Sequence, residues 1–456
     1  MKKFIVPLLL TFSFCFISTQ SSSKVGVAQA FDLYVQKNAV KVPTEIDLND
    51  VEDEKIREYY AGLDSKSESE LQGTNLLKNL KTVLKEGHTP YAYGASGTTQ
   101  VWQAYEIIDR DWTKSPASEI EGYNPSTNKI IGYVYGSSVE KDRGSDPYVH
   151  ALYVNRDKDN GTKAWSDHSQ KNYGINQEHV WPKSLGFETQ TSNVGARGDM
   201  MHLMAGNGYV NKLHSNYYYG NVDSSTLIED AGTTYSYLSG NKLGYSKRLG
   251  GSVKVFEPQD SDKGDIARAV FYMMARYSYL EATGETIDSS NPNLAIVNDV
   301  TSWQDEGYPS TQSETGKIGI LQDLLEWNKL DPVDSFEIHR NNLLYRNFSH
   351  NRNPFIDFPQ WADYIWGTSE DLNHPTGSAK PSSDVIAKGN DAPVYPKDDS
   401  KKLDIKTIAI IAGVAVVALI IVIVIFSKLS KKNKRKVLKT TKKFVKKQTK
   451  SSKKKK

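Results

Sequence analysis

The stretch Ile175–Ser184, INQEHVWPKS, sets a carboxylate beside an imidazole and ends its extended run at Trp181-Pro182. Neighbouring side chains of a strand point to opposite faces, so Glu178 and His179 cannot form a face-to-face ion pair there. On the pair alone two readings stay open: two solvated polar residues before a turn, or two halves of a site. Downstream, Arg197–Val222 reads RGDMMHLMAGNGYVNKLHSNYYYGNV. Its MMHLM is short and apolar enough for a strand, and GNGYVNKLHSN then turns into a helix with Asn211 on its first turns. The predicted order is strand, loop, strand, helix.

Around this centre the chain reads as mainly helical. A polar, acidic lead-in over Phe31–Lys66 predicts a helix. Leu71, Leu76, Leu77, Leu80, Val83 and Leu84 recur at helical spacing before a stop at Gly87. TTQVWQAYEIID is a second short helix, and NKIIGYVYGSS alternates like a strand. Lys263–Ala282 predicts a buried helix, and two more follow, broken at Asp331-Pro332. No internal repeat is present.

The two ends have different composition. Residues 1–30 begin Met-Lys-Lys, continue through an apolar run and reach VAQA, the pattern of a secretory signal peptide. The single cysteine, Cys15, lies inside it behind Phe14, which argues against a lipid-anchor signal. The mature chain is then free of disulfides, thiolate metal ligands and a cysteine nucleophile. Residues 368–404 turn to Ser, Pro, Asp, Lys and Gly, a flexible stalk. The uncharged run Thr407–Phe426 predicts a transmembrane helix over 405–427, and 428–456 is a basic tail expected to stay cytoplasmic. That leaves 31–367 as one outward-facing domain.

Charge counts against a simple DNA-binding module. Setting aside sixteen basic residues in the tail, Lys2, Lys3, Lys24 and Lys406 leaves 37 of the 57 basic residues against all 54 acidic ones, a balance of about −17. So acidic a domain has no general attraction for a polyanion, and contact with one would need a local patch or a cation.

Several blocks taken together resemble one known family. GHTPYAYG and VWQAYEIID precede the centre, EHVWPKS and DMMHLMAGNGYVNKLHSNYYYG form it, and KGDIARAVFYMMARY, WNKLDPVDSFEIHRN and NRNPFIDFPQWADYIWG follow. In that order, over about Tyr59–Gly367, they are similar to the bacterial endonuclease I family of His-Me finger (ββα-metal) nucleases. The resemblance implies an α+β fold: a mainly helical single domain around a ββα-metal core at about 172–222, here joined to the C-terminal transmembrane helix. It implies His179 as general base and Glu178 and Asn211 as ligands of one divalent cation, Mg²⁺ or another such as Mn²⁺ or Ca²⁺. Arg197, His202 and Asn216 are the candidate substrate-side residues, with a packed strand position the plainer reading of His202. A neutral imidazole can take a proton from water, and two oxygen ligands suit a hard cation that keeps positions for water and phosphate.

The other histidines, His214, His339 and His350, read as surface or structural residues. Asn351, Arg352 and Asn353 are expected to tie down a buried C-terminal helix. Tyr217–Tyr219 suit either core packing or stacking on bases. Ala205 and Asn207 stand where relatives often carry Pro and Asp, and Leu213 and His214 where they often carry basic residues, which weakens the expected phosphate contacts. The expected activity is a membrane-anchored extracellular nuclease acting on DNA, and on RNA, with little sequence preference and 5′-phosphate products. The alternative is a non-catalytic surface receptor or adhesin for nucleic acid. A hydrolase of another class lacks support: there is no Gly-x-Ser-x-Gly and no His-Glu-x-x-His.

Overall fold

The computed structural model describes residues 43–88, 95–133, 135, 147–155, 161–164, 174–187, 195–248, 253–278, 292, 294–298 and 316–367. All belong to a compact unit that runs to Tyr395. The predicted signal peptide, stalk, transmembrane run and basic tail lie outside the described residues. Among the described residues no helix is long and apolar enough to cross a membrane.

The N-terminal part supplies a helical shell. The lead-in is not one helix. Among its described residues Glu45–Asp47 is a strand, paired antiparallel with Lys129–Ile131, Asp53–Tyr59 (α1) is an α-helix, and Ala61–Leu63 is one 3-10 turn. Ile46 is fully buried between exposed Glu45 and half-buried Asp47, a strand's alternation that the acidic composition concealed. Helix α2, Gly73–Gly87, buries Leu76, Leu77, Leu80 and Leu84 along one face, as their spacing dictates. Helix α3 spans Ala95–Ile108.

The centre follows the predicted order. Strand β1, Ile175–His179, pairs antiparallel with β2, Leu203–Asn207, and Glu178 faces Met204 while His179 faces Leu203. The second strand begins later than MMHLM suggests. Asp199 accepts the Met201 N–H through its side chain and the Leu203 N–H through its carbonyl, so 199–202 forms a turn. Asn207 then caps helix α4, Gly208–His214, by accepting the N–H groups of Tyr209 and Val210. A four-stranded sheet follows in the order β3 (Tyr218–Tyr219), β6 (Lys254–Glu257), β5 (Lys242–Tyr245), β4 (Glu229–Asp230).

Helix α5, Lys263–Tyr277, is buried on nearly every side, packing against α2 and against α6, Leu321–Leu330. Arg268 on α5 makes a bidentate pair with Glu337 at 2.6 Å through each of Nε and Nη2. The break at Asp331-Pro332 is present, and α7, Ser335–Leu343, restarts with a capping box of Asp334 and Glu337. Arg352, fully buried, binds Asp357 and Asn342, while Asn353 caps the turn Pro354–Asp357, so this segment ties the C-terminal helices as expected.

One buried ion pair joins shell to centre. Arg340 of α7 donates to Asp109 at 2.6 Å and to the Leu203 carbonyl at 3.0 Å. Asp109, just past α3, also accepts the Ala205 N–H at 3.0 Å. Burial pushes the Asp109 carboxyl above its ordinary range, against the pull of Arg340. Removing the guanidinium leaves a buried carboxylate without its cation, so Arg340→Ala is expected to cost about 3–5 kcal/mol, measured by urea unfolding.

The fold also contains a neutral buried histidine. Burial lowers the His88 imidazole to about 4, despite Asp199 nearby. Unfolded, His88 would titrate near ~6.5, so between the two values the unfolded chain binds more protons and stability rises with pH. Unfolding free energy is expected to fall as pH drops from about 6.5 through about 4, and His88→Gln should flatten that limb in urea titrations.

Candidate active site

Strand β1 ends with its two polar side chains split across it. The side of Glu178 holds Tyr153, His214 and Gly206. Glu178 Oε1 accepts the Tyr153 hydroxyl at 2.7 Å and lies 3.0 Å from His214 Nδ1. The side of His179 holds Phe187, His202 and the turn 195–199. His179 Nε2 lies 3.0 Å from the Arg197 carbonyl. A carbonyl only accepts, so Nε2 carries the proton and the lone pair sits on Nδ1. Burial, then the neighbouring His202, lower the His179 imidazole well below its ordinary value. It is neutral at physiological pH, the form that can accept a proton.

The turn that presents the Arg197 carbonyl is itself fixed from both ends. Fully buried His202 donates Nε2–H to the Ala196 carbonyl at 2.7 Å, and its Nδ1 faces the Trp181 N–H at 3.4 Å. Asp199 accepts from Tyr272 and Tyr277 at 2.7 and 2.8 Å. Burial lowers His202 to about 4, so it stays neutral. His202 therefore has no surface to offer a substrate and acts on the site through the turn. Arg197 is half-buried, and its backbone is the part seen to touch His179.

Helix α4 closes the Glu178 side. Asn211 and His214 are three residues apart, hence on one helical face, and His214 is fully buried against Glu178. Asn211 is half-buried, and its side chain has no hydrogen-bond partner among the described residues. Glu178 Oε2 also accepts none there. Asn216, half-buried past the helix end, has a buried Oδ1 without a partner among the described residues.

These residues suit a hard divalent cation. Among the described residues, no group of three or more His, Cys, Asp and Glu side chains is placed to hold a metal. The available donors are one carboxylate oxygen and one amide, all oxygen chemistry, and Mg²⁺ is commonly held by one or two carboxylates with several waters kept. Such an ion would be held by Glu178 and Asn211.

Two participants escaped the sequence reading. His214 is not a surface residue, and its spacing from Asn211 was the one available signal. Tyr153 lies 25 positions before Glu178 in a segment without periodicity, and no local pattern announces it. Tyr217–Tyr219 are buried, so core packing decides between their two readings.

The endonuclease I family model matches residues 73–360. The chain belongs to the endonuclease I family. It is similar to the extracellular ribonucleases of Bacillus subtilis (strain 168) and Bacillus amyloliquefaciens, each 33% identical over 308 residues, covering 68% of this chain and 78% of the relative. This endonuclease I member is a nuclease, and nucleic acid is its substrate.

Gly206, paired with Asn176 and diagonal to Glu178, sets how closely the strands of the endonuclease I site approach. A Cβ on Gly206 would stand 2.8 Å from Glu178 Cβ. Gly206→Ala is expected to displace Glu178 and lower kcat about 10²-fold, as small misplacements at a reacting centre do. Gly62→Ala, whose added Cβ would meet Val83 at an ordinary 3.9 Å, serves as the control in the same plasmid-nicking assay.

Proposed function

We propose that this chain is a metal-dependent extracellular nuclease, tethered to the membrane, that hydrolyses DNA and RNA with little sequence preference and leaves 5′-phosphate ends. The carrying observation is the split of Glu178 and His179 across one strand, with the His179 proton held on Nε2. In this reading His179 Nδ1 takes the proton of a water aimed at phosphorus, and the 3′-oxygen leaves. The Arg197 carbonyl keeps the ring in the tautomer that carries its lone pair on Nδ1. A divalent cation, Mg²⁺ or a relative such as Mn²⁺ or Ca²⁺, bound by Glu178 and Asn211, would neutralise the charge developing on the phosphate and leaving oxygen. Arg197 and Asn216 are assigned to the substrate side.

Support for both polymers comes from the family and its relatives: the family is an endonuclease family, and the two Bacillus relatives carry the name ribonuclease. Low sequence preference follows if contacts go to phosphates and sugars, which carry no direct sequence information. The tethered, outward placement rests on residues 1–30, the apolar run Thr407–Phe426 and the basic residues after it.

The test takes the full chain and its His179→Ala variant with plasmid DNA and with RNA, in Mg²⁺ and in EDTA. Wild type should cut both, EDTA should stop it, and the variant should lose about 10²–10⁴-fold, the usual worth of a general base. Cutting that survives EDTA would sink the metal-dependent reading. Retention of DNA without cutting in Mg²⁺, Mn²⁺ or Ca²⁺ would put a nucleic-acid receptor in its place.

A further inference from the structure

Glu178 uses its two oxygens unequally. A carboxylate oxygen has two lone pairs, and those of Oε1 are both engaged, by the Tyr153 hydroxyl and by His214 Nδ1. His214 Nε2 lies 3.1 Å from the Tyr217 carbonyl, an acceptor, so that nitrogen donates and the ring cannot turn over without losing the contact. His214 Nδ1 and Glu178 Oε1 are hydrogen-bond partners at 3.0 Å. Oε2 has no hydrogen bond among the described residues.

Both partners are held from behind. His214 stacks on Tyr219, with ring centroids 4.5 Å apart and planes at 25°, and Tyr219 is fixed by donating to the Val180 carbonyl at 2.9 Å. Tyr153 has φ of +72°, a left-handed conformation unusual for a bulky residue. Its N–H donates to Asp262, and its carbonyl accepts from the Asn241 amide at 2.9 Å. Strained backbone persists where its surroundings over-determine it, and here the result is a hydroxyl aimed at Oε1.

We infer that His214 and Tyr153 are positioning residues that engage Glu178 Oε1, so that Oε2 alone is offered to a divalent cation. The inference rests on the reading of Glu178 as a cation ligand. Its consequence is selectivity. Ca²⁺ readily takes both oxygens of a carboxylate, whereas Mg²⁺ keeps a tight octahedral shell of single oxygens and waters. A pinned Oε1 disfavours the first mode and leaves the second intact.

The test measures cation binding directly, without catalysis. Mn²⁺ is titrated into the full chain, and the unbound ion is read by its electron paramagnetic resonance, with Mg²⁺ and Ca²⁺ as competitors. Tyr153→Phe and His214→Ala are expected to weaken Mn²⁺ binding about 10–100-fold, the usual effect of losing a group that orients a ligand. Both should also shift the competition toward Ca²⁺. His214→Asn, whose amide N–H can donate to Oε1, should recover much of the loss. Asn211→Ala marks the cation site itself. If Asn211→Ala loses Mn²⁺ while Tyr153→Phe and His214→Ala bind within about two-fold of wild type, positioning is refuted and the cation site stands. If wild type binds no Mn²⁺, both readings fall together. Should His214→Ala fail to fold, Tyr153→Phe, which removes a single oxygen, decides alone.

Discussion

A two-stranded ribbon is marginal in water by itself, and β1 with β2 is such a ribbon of five residues a side. Its position depends on the Arg340–Asp109 pair. Arg340 reaches from α7 to the Leu203 carbonyl, and Asp109 reaches from the end of α3 to the Ala205 N–H. Together they fasten the outer edge of β2 to two helices far apart in sequence. The pair is buried, so little water competes for its hydrogen bonds, and the ribbon inherits the rigidity of the shell. What β1 presents at its end, Glu178 on one face and His179 on the other, is therefore placed by helices that contribute nothing to the chemistry.

Three buried histidines near this ribbon have different duties, set by what each nitrogen faces. His179 gives Nε2 to a carbonyl and keeps its lone pair on Nδ1. His202 spends both nitrogens on backbone groups, at the Ala196 carbonyl and the Trp181 N–H, and so stiffens the turn that His179 leans on. His214 faces a carbonyl and a carboxylate and belongs to the Glu178 side. Residue type alone separates none of these roles. Hydrogen-bond partners do, and those partners come from segments that meet only in the folded chain.

Much of the architecture was legible beforehand because it rests on local pattern. The leucines of α2 at helical spacing, the Asp331-Pro332 break and the strand–strand–helix order around Glu178 and Asn211 all have local causes, and the structure has each of them. The misreadings also had local causes. The Glu45–Asp47 strand sits in acidic sequence that hides its one buried isoleucine, and the start of β2 moves to Leu203 because Asp199 holds a turn with its own side chain.

The sequence by itself determined the candidate pair and its geometry, since alternation along a strand must send Glu178 and His179 to opposite faces. It also carried the family's blocks in order, which is why the chain's membership of the endonuclease I family was readable from its residues. Only the tertiary structure decided which tautomer His179 holds, that His202 is enclosed, and that His214 and Tyr153 converge on one oxygen of Glu178. The physical reason is range. Periodicity and turn chemistry act over a few residues, while the groups that set a buried side chain's protons and lone pairs arrive from anywhere in the chain.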